Sequence, residues 1–307
     1  MPKLSEVTLG EQFLGFLAVK DCSVRTTSSG SNYLAMLLTD STGTINARVW
    51  EHSGVAPAAN TVIKVQGQIN EYHGQMQITI SKWRNANDDE YSPGDFLPVY
   101  PDRIALKSRL DRYIESVTDS GLSQLLGTFA HDNDTIKAFI EAPAALFHHH
   151  VYIGGLLHHT DDVVEQCLRI ATSETDRDML VTGAILHDIG KIHDYNWSGI
   201  TFSMTDNGRL LGHITQGMMM IKEYARNCPD LSQKRLSLLL HLIASHHGKL
   251  EYGSPVEPST IEAILLHEAD MLDVQLHKIN NAIKQIRIGE TWTDKILGMN
   301  RHFYVSK

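Results

Sequence analysis

The spacing of apolar residues changes period once along this chain, and the change fixes what the chain can fold into. Residues 10–84 alternate in the manner of strands, whereas from Ile104 onward apolar residues recur every three or four positions. Five runs make up the first part: FLGFLAVKDCSVR, YLAMLLTD, INARVW, VIKVQGQINEY and MQITISKW. Turn residues separate them, and Asp40-Ser41-Thr42-Gly43 and Tyr72-His73-Gly74-Gln75 are the expected hairpin turns. Five short strands predict a small closed β-barrel, since closure leaves no exposed edge. Helical spacing over 105–127, 133–141, 151–172, 177–189, 209–226, 232–247 and 258–288 predicts an all-α second part without strands, with breaks at Pro229, Pro255 and Pro258. The acidic stretch between them, NANDDEYSPGDFLPVYPDR, carries three prolines and reads as a linker. The expected organisation is a barrel at 1–85, a linker at 86–103, a helical domain at 104–290 and a C-terminal tail at 291–307.

Charge is divided between these parts. Residues 1–85 hold seven Lys/Arg and six Asp/Glu, while the remainder holds 20 and 30. A net charge of −9 counts against a protein that coats DNA non-specifically, but not against an enzyme that grips phosphate through cations. No run of 18 apolar residues is present, and the N-terminal residues do not have the order of a signal peptide. The three cysteines, Cys22, Cys167 and Cys228, are scattered and suit a reducing compartment. A cytoplasmic protein is therefore expected. No feature of the sequence sets an oligomeric state.

Twelve of the seventeen histidines fall between His148 and His267. Among them is an ordered set: His159 in GGLLHHT, His187-Asp188 in AILHDIGK, His213 in RLLGHI, His246-His247 in ASHHGK, and Asp270 in HEADMLD. Only a helical bundle could bring residues so far apart in sequence together. Imidazole and carboxylate without thiolate suit manganese, iron, nickel or zinc. His159, His187, Asp188 and Asp270 are the candidates for one ion. Asp188, with two oxygens, could bridge to a second ion held by His213, His246 and His247. Two ions about 3.5–4 Å apart clamp a phosphodiester for in-line attack by a hydroxide bound between them. A lone His-Asp dipeptide says little, and a second one, His193-Asp194, reads as incidental.

This order of motifs, YIGGLLHHT, LHDIGKI, TDNGRLLGHI, SHHGKLEYGSPVEP and LHEADMLD behind a barrel, resembles the HD superfamily of metal-dependent phosphohydrolases. Within it, the chain is similar to the YhaM-type 3′→5′ exoribonucleases, which carry an OB-type barrel in front. The resemblance implies a five-stranded OB-fold that binds nucleic acid, followed by a helical HD phosphohydrolase domain. It also implies two divalent ions, with manganese favoured and iron, nickel, cobalt or zinc as alternatives. One position departs from the branch: His158 stands where a glutamate is common, which leaves the metal preference open.

Around this set, Lys191 is expected to donate to a phosphate oxygen as charge develops, beside Asp188 as the central catalytic group. Arg209 and Lys249 are candidates to clamp phosphate, and Tyr252 to stack on a base. One of the run His148-His149-His150, either His149 or His150, is expected to approach the phosphate. In the barrel, Tyr33, Trp50, Tyr72 and Trp83 are interspersed with Lys20, Arg25, Arg48, Lys64, Lys82 and Arg84, the mixture that single-strand-binding barrels use. Which of these face a ligand is open. The expected activity is phosphodiester hydrolysis of single-stranded RNA, and of single-stranded DNA as a secondary substrate. The alternatives are hydrolysis of small nucleotides, with the barrel serving assembly, and nucleic-acid binding without catalysis.

Overall fold

The computed structural model describes residues 2–72, 74–146, 150–197, 199–286 and 289–306. The chain divides into two compact units, residues 1–99 together with 196–203, and residues 100–195 together with 204–307.

The first unit is a closed barrel of β1 (Gln12–Thr26), β2 (Asn32–Asp40), β3 (Gly43–Val49), β4 (Val62–Tyr72) and β5 (Gln75–Asn85), ordered β1-β2-β3-β5-β4. The five alternating runs of the sequence therefore appear as five strands. Closure depends on β1, whose first half pairs with β4 and whose second half pairs with β2. A bulge between Val19 and Asp21 separates the two halves, and the extra residue bends the strand from one neighbour to the other. The sheet closes where β3 meets β5 in parallel. Gly67 lies at a second bulge, where a Cβ would stand 2.6 Å from the Thr79 carbonyl oxygen, so only glycine lets β4 and β5 meet there. Inward residues such as Phe13, Leu17, Leu34, Leu38, Ile63 and Ile78 fill the interior. The Asp40 carboxylate shapes the first hairpin by accepting from Thr42 N at 2.7 Å and Gly43 N at 3.1 Å. His73, in the second expected hairpin turn, lies outside the described residues. The strands on either side pair as far as Tyr72 with Gln75.

The second unit is helical: α1 (Arg103–Glu115), α2 (Ser120–His131), α3 (Asn133–Glu141), α4 (Gly155–Ile170), α5 (Arg177–Leu186), α6 (Lys191–Asp194), α7 (Asp206–Leu210), α8 (Gly212–Ala225), α9 (Gln233–Ser245) and α10 (Ile261–Lys284). Local chemistry sets many of the starts. Asp102, Asp119, Asp132, Asp176, Thr205, Ser232 and Thr260 each accept a backbone N–H as N-cap. Each such cap stabilises a helix by about 1 kcal/mol. Two expected helices are each split. The stretch 105–127 breaks before Asp119, which caps a new helix, and 209–226 breaks at Gly212, whose φ of +70° favours glycine. The expectation of no strand after residue 104 also needs correction. Tyr195–Asn196 and Ser203–Met204 pair as short strands β6 and β7, and Ile200 between them is itself part of the first unit, packed with Ala18, Val62 and Phe96. No helix among the described residues is long and apolar enough to cross a membrane.

Candidate metal centre

α4 runs through the helical unit against α1, α3, α5 and α10. Its buried face carries Leu156, Leu157, Val163 and Val164 and, among them, His159. α5 ends at His187, and the chain turns through Asp188, Ile189 and Gly190 before α6 begins. That turn lies on α8 because Gly190 has no side chain: a Cβ there would sit 2.0 Å from the His213 carbonyl oxygen and 2.7 Å from Gly217 N. The contact brings Asp188 to His213. α9 delivers His246 as its C-terminal cap, His247 follows, and Gly248 at φ +79° turns the chain away. α10 supplies Asp270.

The resulting geometry centres on one carboxylate. Asp188 Oδ2 lies 3.3 Å from His159 Nε2 and 3.3 Å from His187 Nε2, and Asp270 Oδ1 is 3.3 Å from the same His159 nitrogen. The other oxygen, Asp188 Oδ1, lies 3.4 Å from His213 Nε2 and 3.6 Å from His246 Nε2. His247 clusters with His213 and His246, and His159 with His187 and Asp270, within metal-binding distance. The structure thus brings all seven sequence-derived candidates together, divided between the two oxygens of Asp188.

Residue chemistry favours a metal here. Two atoms each about 2.1 Å from one ion stand about 3.0–3.5 Å apart, which is the spacing seen. Asp188 Oδ1, His213 Nε2 and His246 Nε2 are buried and have no hydrogen-bond partner among the described residues, a costly state that a cation would relieve. The imidazoles are also oriented from behind. Nδ1 of His187 donates to Ala184 O at 2.8 Å, that of His246 to Ile243 O at 2.7 Å, and that of His247 to Tyr252 O at 3.0 Å. A carbonyl can only accept, so in the neutral ring Nε2 keeps its lone pair for an ion. His159 Nδ1 meets Asp273 Oδ2 at 2.6 Å, and His213 Nδ1 lies 3.5 Å from Asp194 Oδ2.

Electrostatics agree with this geometry. Burial disfavours charge on His159, but Asp188, Asp270 and Asp273 outweigh it and hold its pKa well above the usual value, so the pocket draws positive charge. Burial would raise the pKa of Asp188, yet Lys191 and His187 hold it well below the usual carboxylate range. Burial and neighbouring His247 push His246 down, keeping it neutral.

The remaining candidates are placed differently. Lys191 is buried, with Nζ 2.6 Å from Asp188 Oδ2, so its ammonium is committed to that carboxylate. α5 stops at its cap His187, and Lys191 opens α6. Arg209 is exposed on α7. Lys249 and Tyr252 are exposed beside each other after His247, with the ammonium 5.7 Å from the ring centroid. His149 lies outside the described residues, as does His148. His150 is buried, and its Nε2 lies 3.0 Å from Asp273 Oδ2.

Two residues behind the ligands escaped the sequence reading. Asp273 stands three positions after Asp270, one turn along α10, and that spacing was the available signal. Asp194 belongs to the dipeptide read as incidental; His193 is exposed, but Asp194 is buried against His213.

On the barrel, considered alone, Tyr33 and Trp50 lie 4.9 Å apart by ring centroid, and the Arg48 guanidinium sits 5.8 Å from the Tyr33 ring. Trp50 and Tyr72 are exposed, and Arg48 lines a cleft with Arg25 and Asn46. Trp83 instead packs on the barrel core, and Arg84 is paired with Glu90 at 2.6 Å. Lys64 covers the Phe16 ring, and Lys20 is partly desolvated.

Comparison with known proteins places these observations. Among solved structures, a domain of replication protein A from Methanococcus maripaludis is 17% identical, with a TM-score of 0.26 over 28% of this chain and 94% of that one. The protein prib from Ralstonia solanacearum is 15% identical, with a TM-score of 0.22 over 26% of this chain and 100% of that one. At these scores the likeness carries no argument, and the barrel stands on its own strand order. Residues 144–275 match the HD domain family, and this span contains every residue of the metal centre. HD domains bind divalent metals and are typical of metal-dependent hydrolases; the chain is a five-stranded OB-like barrel followed by a helical HD domain.

Proposed function

We propose that this chain is a divalent-metal-dependent exonuclease that removes nucleotides from the 3′ end of single-stranded nucleic acid, RNA foremost. The observation that carries the reading is the division of the ligand set across the two oxygens of Asp188. Such an arrangement suits a pair of ions. His159, His187, Asp188 and Asp270 would hold one, and Asp188, His213, His246 and His247 the other, with manganese favoured. Bound divalent ions supply Lewis acidity toward a phosphoryl oxygen and make water acidic enough to attack near neutral pH.

The chain's own residues do the rest. Asp188 is kept ionised by Lys191, so it can serve both sides of the centre. The backbone carbonyls of Ala184, Ile243 and Tyr252 fix the rings of His187, His246 and His247, so the ligand atoms are placed before any substrate arrives. Lys249, Tyr252 and Arg209 are exposed, where they can meet a polyanion approaching the centre. The Tyr33–Trp50–Arg48 cluster offers π faces and a cation of the kind that stacks bases and follows phosphates. The RNA preference and the 3′→5′ direction rest on the resemblance of the motif order. In this reading, 1–85 is the capture module, 86–103 the linker, 104–290 the cutting module and 291–307 a tail. The protein is expected to work in the cytoplasm.

Incubating the protein with manganese and a 5′-labelled RNA oligomer tests the reading. A ladder shrinking by single nucleotides supports it. Cleavage of mononucleotides alone would favour a small-nucleotide hydrolase, and a bound but intact oligomer would favour a binding protein.

A further inference from the structure

Behind His159, on the side of its ring away from Asp188, lies a second set of metal-ligating side chains that the proposed hydrolysis does not use. We infer that His150, His158 and Asp162 form an additional site for one divalent transition-metal ion, which braces the start of α4. The three residues each present a ligand atom, all within 4.8 Å of one another.

His158 and Asp162 are four apart on α4 and therefore share a face. His158 Nε2 and Asp162 Oδ2 are 3.4 Å apart. That is long for a charge-assisted hydrogen bond, but it is the separation of two atoms held tetrahedrally about 2.1 Å from one ion. His150 is placed with equal care. It is a non-glycine residue held at φ +48°, a conformation that persists only when its surroundings enforce it. The enforcing contacts are present: its N–H donates to His277 Nε2 at 3.2 Å, and its carbonyl oxygen sits where a Cβ on Gly155 would be, 2.0 Å away.

Both rings are also anchored from behind, as in the main centre. The Tyr152 hydroxyl oxygen lies 2.6 Å from Nδ1 of His150 and 2.6 Å from Nδ1 of His158. Its two lone pairs suffice to accept both N–H groups, and both Nε2 atoms then keep their lone pairs. His150 Nε2 also lies 3.0 Å from Asp273 Oδ2, a hydrogen bond that an ion at this nitrogen would replace, with Asp273 as an additional oxygen. Two imidazoles with one or two carboxylates form a nitrogen–oxygen set that suits zinc, manganese, cobalt or nickel.

The site does not depend on the exonuclease reading, and the test keeps the two apart. Full-length protein stripped by chelator is titrated with Co2+, following bound equivalents calorimetrically and the visible absorption of coordinated cobalt. Asp162→Asn and His158→Gln should each bind one equivalent fewer than the unaltered protein while keeping its circular dichroism. Asp188→Ala should lose the ions of the main centre and still bind the one that Asp162→Asn lacks. Equal uptake by the unaltered protein and Asp162→Asn overturns the proposal, whatever the number. Should either variant unfold, anomalous diffraction at the cobalt edge from the unaltered protein decides: a peak between His158 and Asp162 supports the site, and its absence overturns it.

Discussion

Asp273 Oδ2 lies 2.6 Å from His159 Nδ1, and the same carboxylate reaches His150 Nε2 at 3.0 Å. A carboxylate on the outer nitrogen fixes the ring of a ligand and raises its basicity, and loss of such a partner typically lowers metal affinity or activity 10–100-fold. Asp273→Asn should therefore weaken metal binding by about that factor, with turnover recovering as manganese is raised. Full activity at low manganese would remove Asp273 from the support of the centre.

The two His-Asp dipeptides should behave differently. Asp188→Ala should remove essentially all turnover, because both oxygens of this carboxylate face ligand nitrogens. His193 is exposed, so His193→Ala should leave rate and stability nearly unchanged. Asp194 touches the outer nitrogen of His213 and accepts from Gln216, so Asp194→Asn should cost about 10-fold in activity. Turnover of the three variants at saturating manganese checks all three expectations. Comparable losses in Asp188→Ala and His193→Ala would mean that the wrong dipeptide was placed at the centre.

The sequence made some of this arrangement legible. Strand period showed the barrel because each strand buries one face, and the ordered histidines and aspartates pointed to the candidate centre because so many metal-ligating residue types in helical contexts are hard to reach by accident. The pairing of Lys191 with Asp188 was not legible, because periodicity alone cannot show how the chain turns between the end of α5 and the start of α6. Asp194 was passed over because its value depends on His213, nineteen positions away and brought near only by α6 packing on α8. The short β6–β7 ribbon left no period to read, since two residues make no alternation.

Gly190 is the residue whose smallness the centre needs. A Cβ there would meet backbone atoms of α8 at 2.0 and 2.7 Å, and backbone cannot rotate away as a side chain can. Gly190→Ala should push the Asp188 turn off α8, destabilising the fold by about 1–3 kcal/mol and lowering activity further by moving Asp188 from His213. Gly127→Ala is the control: nothing lies within 4 Å of its Cβ, and a helical alanine should be neutral or stabilise by up to about 1 kcal/mol. Urea midpoints of the two variants test the contrast, and equal midpoints would mean the turn can yield.

Trp50 and Tyr72 are exposed, and Tyr33 lies beside Trp50 with Arg48 over its ring, whereas Trp83 is packed on the core. Stacked bases contribute about 1–3 kcal/mol each, so Tyr33→Ala with Trp50→Ala should weaken oligomer binding by one to several orders of magnitude. Arg48→Ala should weaken it less and reduce the steepness with which added salt releases RNA, because it removes a phosphate partner. Every proposed metal ligand lies in the helical unit, so hydrolysis of a small activated phosphodiester should change little in these variants. Trp83→Ala should act through stability instead, lowering the melting temperature as well as binding. The decisive comparison is oligomer affinity at two salt concentrations against ester turnover in the same preparations. If the Tyr33/Trp50 variant binds RNA as tightly as the unaltered protein, this face does not hold the strand, and the small-nucleotide alternative becomes the better account of the centre.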